Sequence, residues 1–284
     1  MSGNHRNDDG QGLVNLSSSG GVFFSLTDER AGEVARREGK DLTRVFIDSL
    51  EKDVWPERFR AQRGSFTARD QARLLESTAA IIGAGGLGGM VCLLLARAGI
   101  GNLIVCDGDS FEQSNLNRQM LSDTATLGKN KALTAAEKAG LINPGLKVKA
   151  FPCWAGESNI EEIIGPAQVV VDCLDNMETR FMVERAARTL GRPFIHGAVA
   201  GFEGLMMTVL PAGPGLVDLY GPVPAPKRET AESLLGVPTV TPAILAGLQV
   251  QEALNILLGR PLLAGNRLLH LDLGVPAFDV NELA

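Results

Sequence analysis

The chain has 284 residues, of which 45% are hydrophobic, and a formal net charge of -6 at pH 7. This length allows one large or two small domains with a sizeable core. The acidic balance argues against nucleic acid as a partner, because a phosphate backbone is bound by dense Lys and Arg. No stretch approaches the roughly 20 apolar residues of a membrane span, and the polar N-terminus lacks the apolar core of a secretory signal, so we expect no membrane partner.

The cysteine usage indicates a reducing compartment. The chain has four cysteines, which are isolated in sequence and mostly lie in apolar runs: Cys92, Cys106, Cys153 and Cys173. Such residues are typical of buried free thiols. We therefore expect a cytoplasmic protein.

The first 57 residues differ in composition from the rest. Residues 1–24 are rich in Gly, Ser, Asn and Asp and cannot build a core, so we expect a disordered N-terminal tail. Residues 25–57 predict a helical N-terminal extension, in which Thr27 is a candidate N-cap and Gly39 interrupts the helical pattern. A further helix is predicted over 66–76.

Residues 58–284 are expected to form the main domain. From Thr78 onwards, short β-branched runs alternate with helical patterns of about 12 residues, which is typical of a doubly wound parallel sheet. The later runs GLMMTVLPAG and RLLHLDLG predict more strands, and TPAILAGLQVQEALNILLG predicts a long helix. The sequence therefore predicts an α/β, Rossmann-like fold with a mostly parallel sheet and additional C-terminal strands. The proline-rich stretch 211–240 is expected to be a surface loop.

A glycine-rich loop follows the first strand of this domain. Its residues Gly83-Ala-Gly-Gly-Leu-Gly88 begin a helix, which is the context that the motif G-x-G-x-x-G requires. Gly83 permits the tight turn, Gly85 lets a phosphate approach the backbone, and Gly88 allows close packing of helix and strand. Asp107 ends the next strand, where a carboxylate can accept hydrogen bonds from ribose hydroxyls. Up to this point NAD, FAD and ATP are equally good ligands.

A polar cluster after Asp107 separates these ligands. Arg118 can offer a planar fork and Lys131 a compact point charge to phosphate oxygens, while Asn115 and Gln119 can hydrogen-bond oxygens without adding charge. A nucleoside triphosphate requires cations and a metal, whereas backbone N–H groups largely hold the pyrophosphate of a dinucleotide. The cluster therefore favours a triphosphate.

A second acidic strand end completes the candidate site. The buried run Val169-Val-Val-Asp-Cys-Leu-Asp ends in Asp172 and Asp175, at the edge where ligands bind in such sheets. Mg²⁺ prefers hard oxygen ligands, and Asp175 is the natural candidate.

Taken together, these motifs resemble the ThiF/MoeB/HesA family, the bacterial relatives of ubiquitin-activating enzymes. The resemblance covers about residues 58–275. It rests on the motifs IIGAGGLGG (81–89), AGIGNLIVCDGD (98–109), SNLNRQ (114–119), GKNKA (128–132), NPGLKV (143–148), VVDCLDN (170–176) and GAVAGFEG (197–204).

The resemblance implies an ATP-dependent adenylyltransferase that activates the C-terminal carboxylate of a small ubiquitin-like sulfur-carrier protein, typically ending in Gly-Gly. The expected cofactors are ATP and Mg²⁺. The resemblance implies catalytic roles for Arg118, Lys131 and Asp175, with Asp175 as the Mg²⁺ ligand. The implied nucleotide-binding residues are Gly83, Gly85, Gly86, Gly88, Asp107, Asp109, Asn115, Arg118, Gln119 and Lys131.

The resemblance also implies a homodimer in which an arginine of one subunit reaches the nucleotide of the other. In this chain the matching segment reads WPERFRAQRG, so the candidates are Arg58, Arg60 and Arg63, with Arg60 favoured.

Two departures from the family pattern stand out. No C-x-x-C pair occurs, so no zinc is expected. The loop APKRETAESLLGVPTV contains no cysteine, so we expect the enzyme to lack its own acceptor cysteine.

Three other interpretations remain open. One is an NAD- or FAD-linked oxidoreductase with the same glycine loop, and another is adenylation of a peptide or small-molecule carboxylate. The third is a scaffold that binds a ubiquitin-like protein without catalysis.

Overall fold

A computed structural model of the chain describes residues 6–8, 13–18, 21–222, 231–275 and 277–282. Within these ranges, no helix has both the length and the apolar character needed to cross a membrane.

The N-terminal region carries a small four-stranded sheet and two helices. Its strands are β1 (Arg6–Asp8), β2 (Leu13–Ser18), β3 (Gly21–Leu26) and β4 (Trp55–Pro56), and its helices are α1 (Asp28–Glu38) and α2 (Leu42–Leu50). Thr27 caps α1 by accepting the Arg30 N–H at 3.2 Å, and the helix ends at Gly39 with φ of 64°. Both features agree with the sequence prediction.

Residues 6–8, 13–18 and 21–24 differ from the expected disordered tail, because the structure has β1, β2 and most of β3 there, paired antiparallel. The runs Leu13-Val-Asn-Leu and Gly21-Val-Phe-Phe-Ser-Leu are rich in residues that favour strands, which the polar composition of the whole segment conceals. Residues 1–5, 9–12, 19 and 20 lie outside the described residues.

The main domain is built on an eight-stranded sheet. Its strands are β5 (Thr78–Ile82), β6 (Asn102–Cys106), β7 (Lys147–Phe151), β8 (Val169–Asp172), β9 (Phe194–Ala200), β10 (Glu203–Val209), β11 (Arg267–Asp272) and β12 (Ala277–Glu282). Their order across the sheet is β12-β11-β10-β9-β8-β5-β6-β7. Five neighbouring strands, β7, β6, β5, β8 and β9, pair parallel. From β9 the sheet continues through β10 and β11 to β12 with antiparallel pairing. The predicted fold is thereby confirmed.

The helices of the main domain cover both faces of this sheet. They are α3 (Ala68–Glu76), α4 (Gly86–Ala98), α5 (Lys131–Ile142), α6 (Ile160–Ile164), α7 (Met177–Thr189), α8 (Leu216–Tyr220), α9 (Ala231–Leu235) and α10 (Val240–Leu258). Short 3-10 turns span Glu57–Gln62 and Gln113–Asn115. Helices α8 and α9 lie within 211–240, where the sequence favoured a loop; both have five residues, too short to produce a helical period between the prolines.

Alternation along β5 shows how the sheet divides the core. Ala79 and Ile81 pack in a cluster with residues of α3, α4, α5 and α10, while Ala80 and Ile82 pack on the opposite face with residues of α6, α7 and α8. Successive strand residues point to opposite faces, so a continuous apolar run indicates a strand buried on both sides. A third cluster, which includes Phe46, lies in the N-terminal region and reaches α3.

The strand order fixes where a ligand fits. From β5 the chain proceeds outward to β6 and β7, then returns to place β8 on the other side of β5. The loops after β5 and β8 therefore diverge at the carboxyl edge and leave a crevice, which is the usual ligand site in such sheets.

Candidate active site

A cleft of about 460 Å³ opens at this carboxyl edge. Nine of the eleven residues that the sequence singled out line it: Gly83, Gly85, Gly86, Asp107, Asp109, Arg118, Gln119, Lys131 and Asp175. Gly88 and Asn115 are not among the lining residues. The structure thus brings residues from five separate sequence motifs to one cavity.

The glycine loop is constrained by close backbone approaches. Gly83 has φ of 91°, and a Cβ atom there would lie 2.6 Å from the Cys173 carbonyl oxygen. A Cβ on Gly88 would lie 1.8 Å from the Gly83 carbonyl oxygen, so Gly88 serves the packing of α4 on the loop. Gly85 is the N-cap of α4, and among the described residues no side chain caps it. The first-turn N–H groups of α4 are therefore available to an anion.

Asp107 is held at the end of β6 by two backbone groups. The N–H groups of Ala84 and Asp109 donate to its two carboxylate oxygens at 2.6 Å and 2.8 Å. Burial raises the pKa of this carboxyl, and the two N–H donors oppose that rise. Each oxygen retains acceptor capacity for a hydroxyl of a bound sugar.

Lys131 begins α5 and points its ammonium group to the cleft. Its side chain is 8% exposed, and its Nζ atom donates to Asp109 Oδ2 at 2.6 Å. Burial raises the pKa of Asp109, but the Lys131 hydrogen bond, the Ser110 N–H and the lysine charge together hold it below the ordinary value. Asp109 is therefore ionised at neutral pH, and its hydrogen bond with Lys131 fixes the lysine side chain in the cleft.

Arg118 is oriented by its own turn. Its Nη1 atom donates to the Ser114 carbonyl oxygen at 3.0 Å and to Asn117 Oδ1 at 2.8 Å. Asn117 in turn donates to the Val237 carbonyl oxygen at 3.2 Å, and Thr239 Oγ1 donates to the Asn117 carbonyl oxygen at 2.5 Å. These bonds join the arginine turn to the segment before α10.

The two amides of the polar cluster have different environments. Asn115 is buried, and its Oδ1 accepts the Glu112 N–H at 3.0 Å, so this side chain closes the turn that carries Arg118. Gln119 is also buried, and its Oε1 atom has no hydrogen-bond partner among the described residues. Its amide lies beside Gly85, where a Cβ would be 3.7 Å from Nε2. A buried acceptor without a partner beside the glycine loop fits a ligand that donates a hydrogen bond there.

Asp175 lies exposed in the turn after β8. Its Oδ1 atom is 3.5 Å from Asn176 Nδ2, while Asn176 Oδ1 caps α7 by accepting the Thr179 N–H at 2.9 Å. Among the described residues, no cluster of three or more His, Cys, Asp and Glu side chains could hold a metal ion. Mg²⁺ is commonly held by one or two carboxylates together with substrate phosphates and water, so a single carboxylate is compatible with the predicted role of Asp175.

The cleft also contains residues that the sequence reasoning missed. Trp154 is 70% exposed and lies against Gly108, where a Cβ would come within 2.7 Å of the indole ring. The signal was a lone tryptophan in a polar segment after a predicted strand. Further lining residues outside the predicted set include Cys153, Asn176, Thr179, Arg180, Glu232 and Pro242.

The cleft thiols differ in burial. Cys106 and Cys173 are buried; burial raises the pKa of Cys106 to about 12 and that of Cys173 well above the ordinary range. Both thiols are therefore protonated at neutral pH, which disfavours them as nucleophiles. Cys153 is half-buried, and Asn159 Nδ2 lies 3.8 Å from its Sγ atom.

The three arginines of the N-terminal segment are placed differently. Arg58 is 13% exposed, donates to the Ile142 carbonyl oxygen at 2.9 Å and pairs with Asp28, so its guanidinium is used within its own chain. Arg60 is 35% exposed and lies 3.9 Å from Glu57. Arg63 follows the 3-10 turn.

The sequence model of the ThiF family matches residues 59–282. The chain belongs to the ThiF family. It is 36% identical over 202 residues to a SAMP-activating enzyme E1 from Haloferax volcanii, covering 71% of this chain and 75% of that one. It is 38% identical over 208 residues to a sulfur carrier protein adenylyltransferase from Thermus thermophilus, covering 70% and 76%. The predicted family and the predicted adenylyltransferase activity agree with these findings.

Solved structures share the fold of this ThiF-family chain. Selenomethionine PaaA matches with a TM-score of 0.67 and 20% identity, covering 99% of this chain and 98% of that one. E. coli MccB with MccA-N7isoAsn matches with a TM-score of 0.70 and 17% identity, covering 86% and 79%. At these identities the likeness concerns the fold alone.

Proposed function

We propose that this ThiF-family chain is an ATP-dependent adenylyltransferase that activates the C-terminal carboxylate of a small ubiquitin-like sulfur-carrier protein. The observation that carries the proposal is the convergence in one cleft of the glycine loop, Asp107, two cationic side chains and Asp175. The relatives named as a sulfur carrier protein adenylyltransferase and a SAMP-activating enzyme support this substrate class.

The nucleotide is proposed to lie along the carboxyl edge from β6 to β5. Asp107 accepts hydrogen bonds from the ribose, and the exposed face of Trp154 beside it covers the base. The triphosphate meets the uncapped N-terminus of α4 together with Arg118 and Lys131. A dinucleotide has no need for both cations, and their presence favours ATP over NAD or FAD.

Asp175 fits the role of Mg²⁺ ligand, because it offers an exposed carboxylate on the cleft wall opposite Lys131 and Asp107 along the sheet edge. Bound Mg²⁺ would supply charge neutralisation on the phosphates during departure of pyrophosphate. The residues of the chain then bind and orient the triphosphate around it.

The reaction requires little acid-base chemistry. A carboxylate oxygen of the carrier attacks the α-phosphorus, the bond to the bridging oxygen of pyrophosphate breaks, and an acyl-adenylate forms. The nucleophile is already ionised at pH 7. Arg118 and Lys131 stabilise the negative charge that spreads over the phosphate oxygens and the leaving group.

We further propose that the enzyme holds no covalent carrier intermediate of its own and binds no structural zinc. Burial raises the pKa of the Cys106 and Cys173 thiols, so both are protonated at neutral pH, and the sequence 225–240 contains no cysteine. Residues 225–230 of that segment lie outside the described residues. Sulfur or another nucleophile then comes from a separate protein.

The proposed assembly is a homodimer in which Arg60 reaches the partner's nucleotide. Arg58 is a poor candidate because Asp28 and the Ile142 carbonyl hold its guanidinium. Arg60 has greater exposure and a long ion pair, which leaves it more able to reorient.

A second candidate is adenylation of a peptide carboxylate. The solved structure of PaaA shares the fold over 99% of this chain, including the N-terminal region outside the matched family range, and another match is MccB with MccA-N7isoAsn. The same cleft chemistry serves either carboxylate, so only the acceptor distinguishes the two candidates.

The proposal is tested by ATP–pyrophosphate exchange. Exchange is expected with a ubiquitin-like carrier that ends in Gly-Gly, and loss is expected when those two residues are removed or in Asp175→Ala. Exchange with a short peptide but with no carrier would establish the second candidate instead. Thermal stabilisation by NAD and not by Mg-ATP would establish an oxidoreductase and reject both.

A further inference from the structure

A buried hydrogen-bond network lies beneath the turn that carries Asp175. His196 on β9 is fully buried, with Nδ1 at 2.7 Å from Asp172 Oδ2 and Nε2 at 2.8 Å from Tyr220 Oη. Burial lowers the pKa of His196, although the bond to Asp172 opposes this. The neutral ring then donates from Nδ1 to Asp172 and accepts the Tyr220 hydroxyl at Nε2.

Arg180 on α7 balances the buried charge of Asp172. Its side chain is 3% exposed, and Nη1 lies 3.6 Å from Asp172 Oδ2. The same nitrogen donates to the Gly197 carbonyl oxygen at 2.9 Å and lies 3.1 Å from His196 Nδ1. An unpaired carboxylate at this depth would be strongly destabilising, so loss of the guanidinium is expected to disturb the whole network.

The network holds the backbone of Leu174, the residue immediately before Asp175. The Leu174 N–H donates to Asp172 Oδ1 at 3.0 Å, and the Leu174 carbonyl oxygen accepts a hydrogen bond from Arg180 Nη2. Both backbone polar groups of Leu174 are thus fixed by buried side chains. On the other side, Asn176 is fixed as the N-cap of α7.

Asp175 itself has little to hold its side chain. Its exposed carboxylate makes one long contact, with Asn176 Nδ2 at 3.5 Å. The place of this carboxylate in the cleft is therefore set by the backbone of the turn, and the backbone is set by the buried network.

We propose that Arg180 and His196 are positioning residues that hold the Asp175 carboxylate where a Mg²⁺–ATP complex meets it. Arg180 acts on Leu174 directly, and His196 acts by orienting Asp172, with Tyr220 fixing the ring. The inference rests on the proposed function only in assigning Mg²⁺ to Asp175.

The hydrogen bonds that hold the turn at Leu174 are tested by amide hydrogen exchange in the absence of nucleotide. Arg180→Lys keeps the positive charge but lacks the planar fork that bonds the Leu174 and Gly197 carbonyl oxygens together. Amide exchange over 172–176 is expected to become at least about tenfold faster in this variant. Arg185→Gln is the matched control, since Arg185 lies on the same helix, is 61% exposed and pairs with Glu157 at the surface. Unchanged exchange in Arg180→Lys would overturn the proposed role of these hydrogen bonds.

The consequence for the metal is tested by ATP binding at increasing Mg²⁺ concentrations. Arg180→Lys and His196→Gln are expected to need about tenfold more Mg²⁺ for half-maximal stabilisation of the ATP complex, because residues that orient a ligand change metal affinity by that order. The affinity of His196→Gln for ATP without Mg²⁺ is expected to stay unchanged, since His196 does not line the cleft. Equal weakening of metal-free ATP binding in His196→Gln would overturn the inference, as would wild-type Mg²⁺ midpoints in both variants. His196→Gln carries the test where Arg180→Lys does not fold.

Failure of the proposed reaction is distinguishable from failure of this inference. A wild-type chain that binds Mg-ATP but exchanges no pyrophosphate rejects the reaction, while the raised Mg²⁺ midpoints still support positioning. A wild-type chain whose ATP binding ignores Mg²⁺ overturns the inference.

Discussion

The Lys131 ammonium group lies 2.6 Å from the Asp109 carboxylate, so the acid that follows β6 holds the buried lysine of α5 at the cleft. Lys131→Met is expected to lower the exchange rate by about 10²-fold or more, because the variant loses the positive charge held where negative charge develops on the phosphate oxygens. Asp109→Asn is expected to cost less, since it leaves the lysine in place but unpaired.

The measurement is ATP–pyrophosphate exchange under saturating carrier. Lys138→Gln serves as the control, because Lys138 lies on the same helix and pairs with Asp123 outside the cleft. A Lys131→Met variant with wild-type exchange would remove the lysine from the proposed chemistry.

Tryptophan fluorescence reports on the proposed base site. The chain has two tryptophans: Trp154 is 70% exposed at the cleft, and Trp55 is 1% exposed in the N-terminal core. Addition of ATP is expected to change the emission of wild-type protein and of Trp55→Phe, but not that of Trp154→Phe. An ATP response that persists in Trp154→Phe and disappears in Trp55→Phe would place the base elsewhere.

The glycine loop allows a comparison of two neighbouring substitutions. Gly88→Ala is expected to lower the free energy of unfolding by about 3 kcal/mol or more, because its Cβ would lie 1.8 Å from the Gly83 carbonyl oxygen and backbone must move. Gly86→Ala is expected to stay within about 1 kcal/mol of wild type, since its nearest contacts are ordinary at 3.6 Å and beyond. Urea denaturation measures both, and equal stability of the two variants would contradict the packing role of Gly88.

The buried His196 predicts a pH dependence of stability. Its pKa is lowered in the folded state, so the unfolded chain binds the extra proton first as the pH falls below about 6.5. The neutral His196 ring therefore makes its full contribution to the free energy of unfolding above that pH. As the pH falls towards the folded-state pKa, this contribution is lost, and the free energy of unfolding decreases by at most about 1.4 kcal/mol per pH unit.

The slope is measured by denaturation at several pH values between 5 and 8, a range set by the usual histidine pKa. His196→Gln is expected to flatten the dependence, whatever its overall stability. His270→Gln, a change at a half-buried ring on β11, is expected to keep it. An unchanged slope in His196→Gln would show that this histidine does not titrate on unfolding as proposed.

How far the sequence predicted the site depends on how local each signal is. The glycine loop, Asp107 and Asp175 were predicted because each follows a β-branched strand, and parallel strand ends meet at one edge. Asn115 stays a predicted nucleotide-binding residue, and the structure adds that its Oδ1 atom closes the turn that carries Arg118, which the sequence did not indicate.

Other features depend on distant partners and carry no local signal. Trp154 borders the cleft because it packs on Gly108, which belongs to another strand end. Arg180 and His196 resemble an ordinary helix arginine and an isolated strand histidine until the sheet brings β8 and β9 together beside α7.

The most direct test of the central claim is mass spectrometry of the carrier. A carrier ending in Gly-Gly, incubated with this chain, Mg-ATP and inorganic pyrophosphatase, is expected to gain the mass of one AMP, and Asp175→Asn is expected to abolish the gain. The account would be contradicted if the chain still bound ATP but neither consumed it nor added AMP to any such carrier.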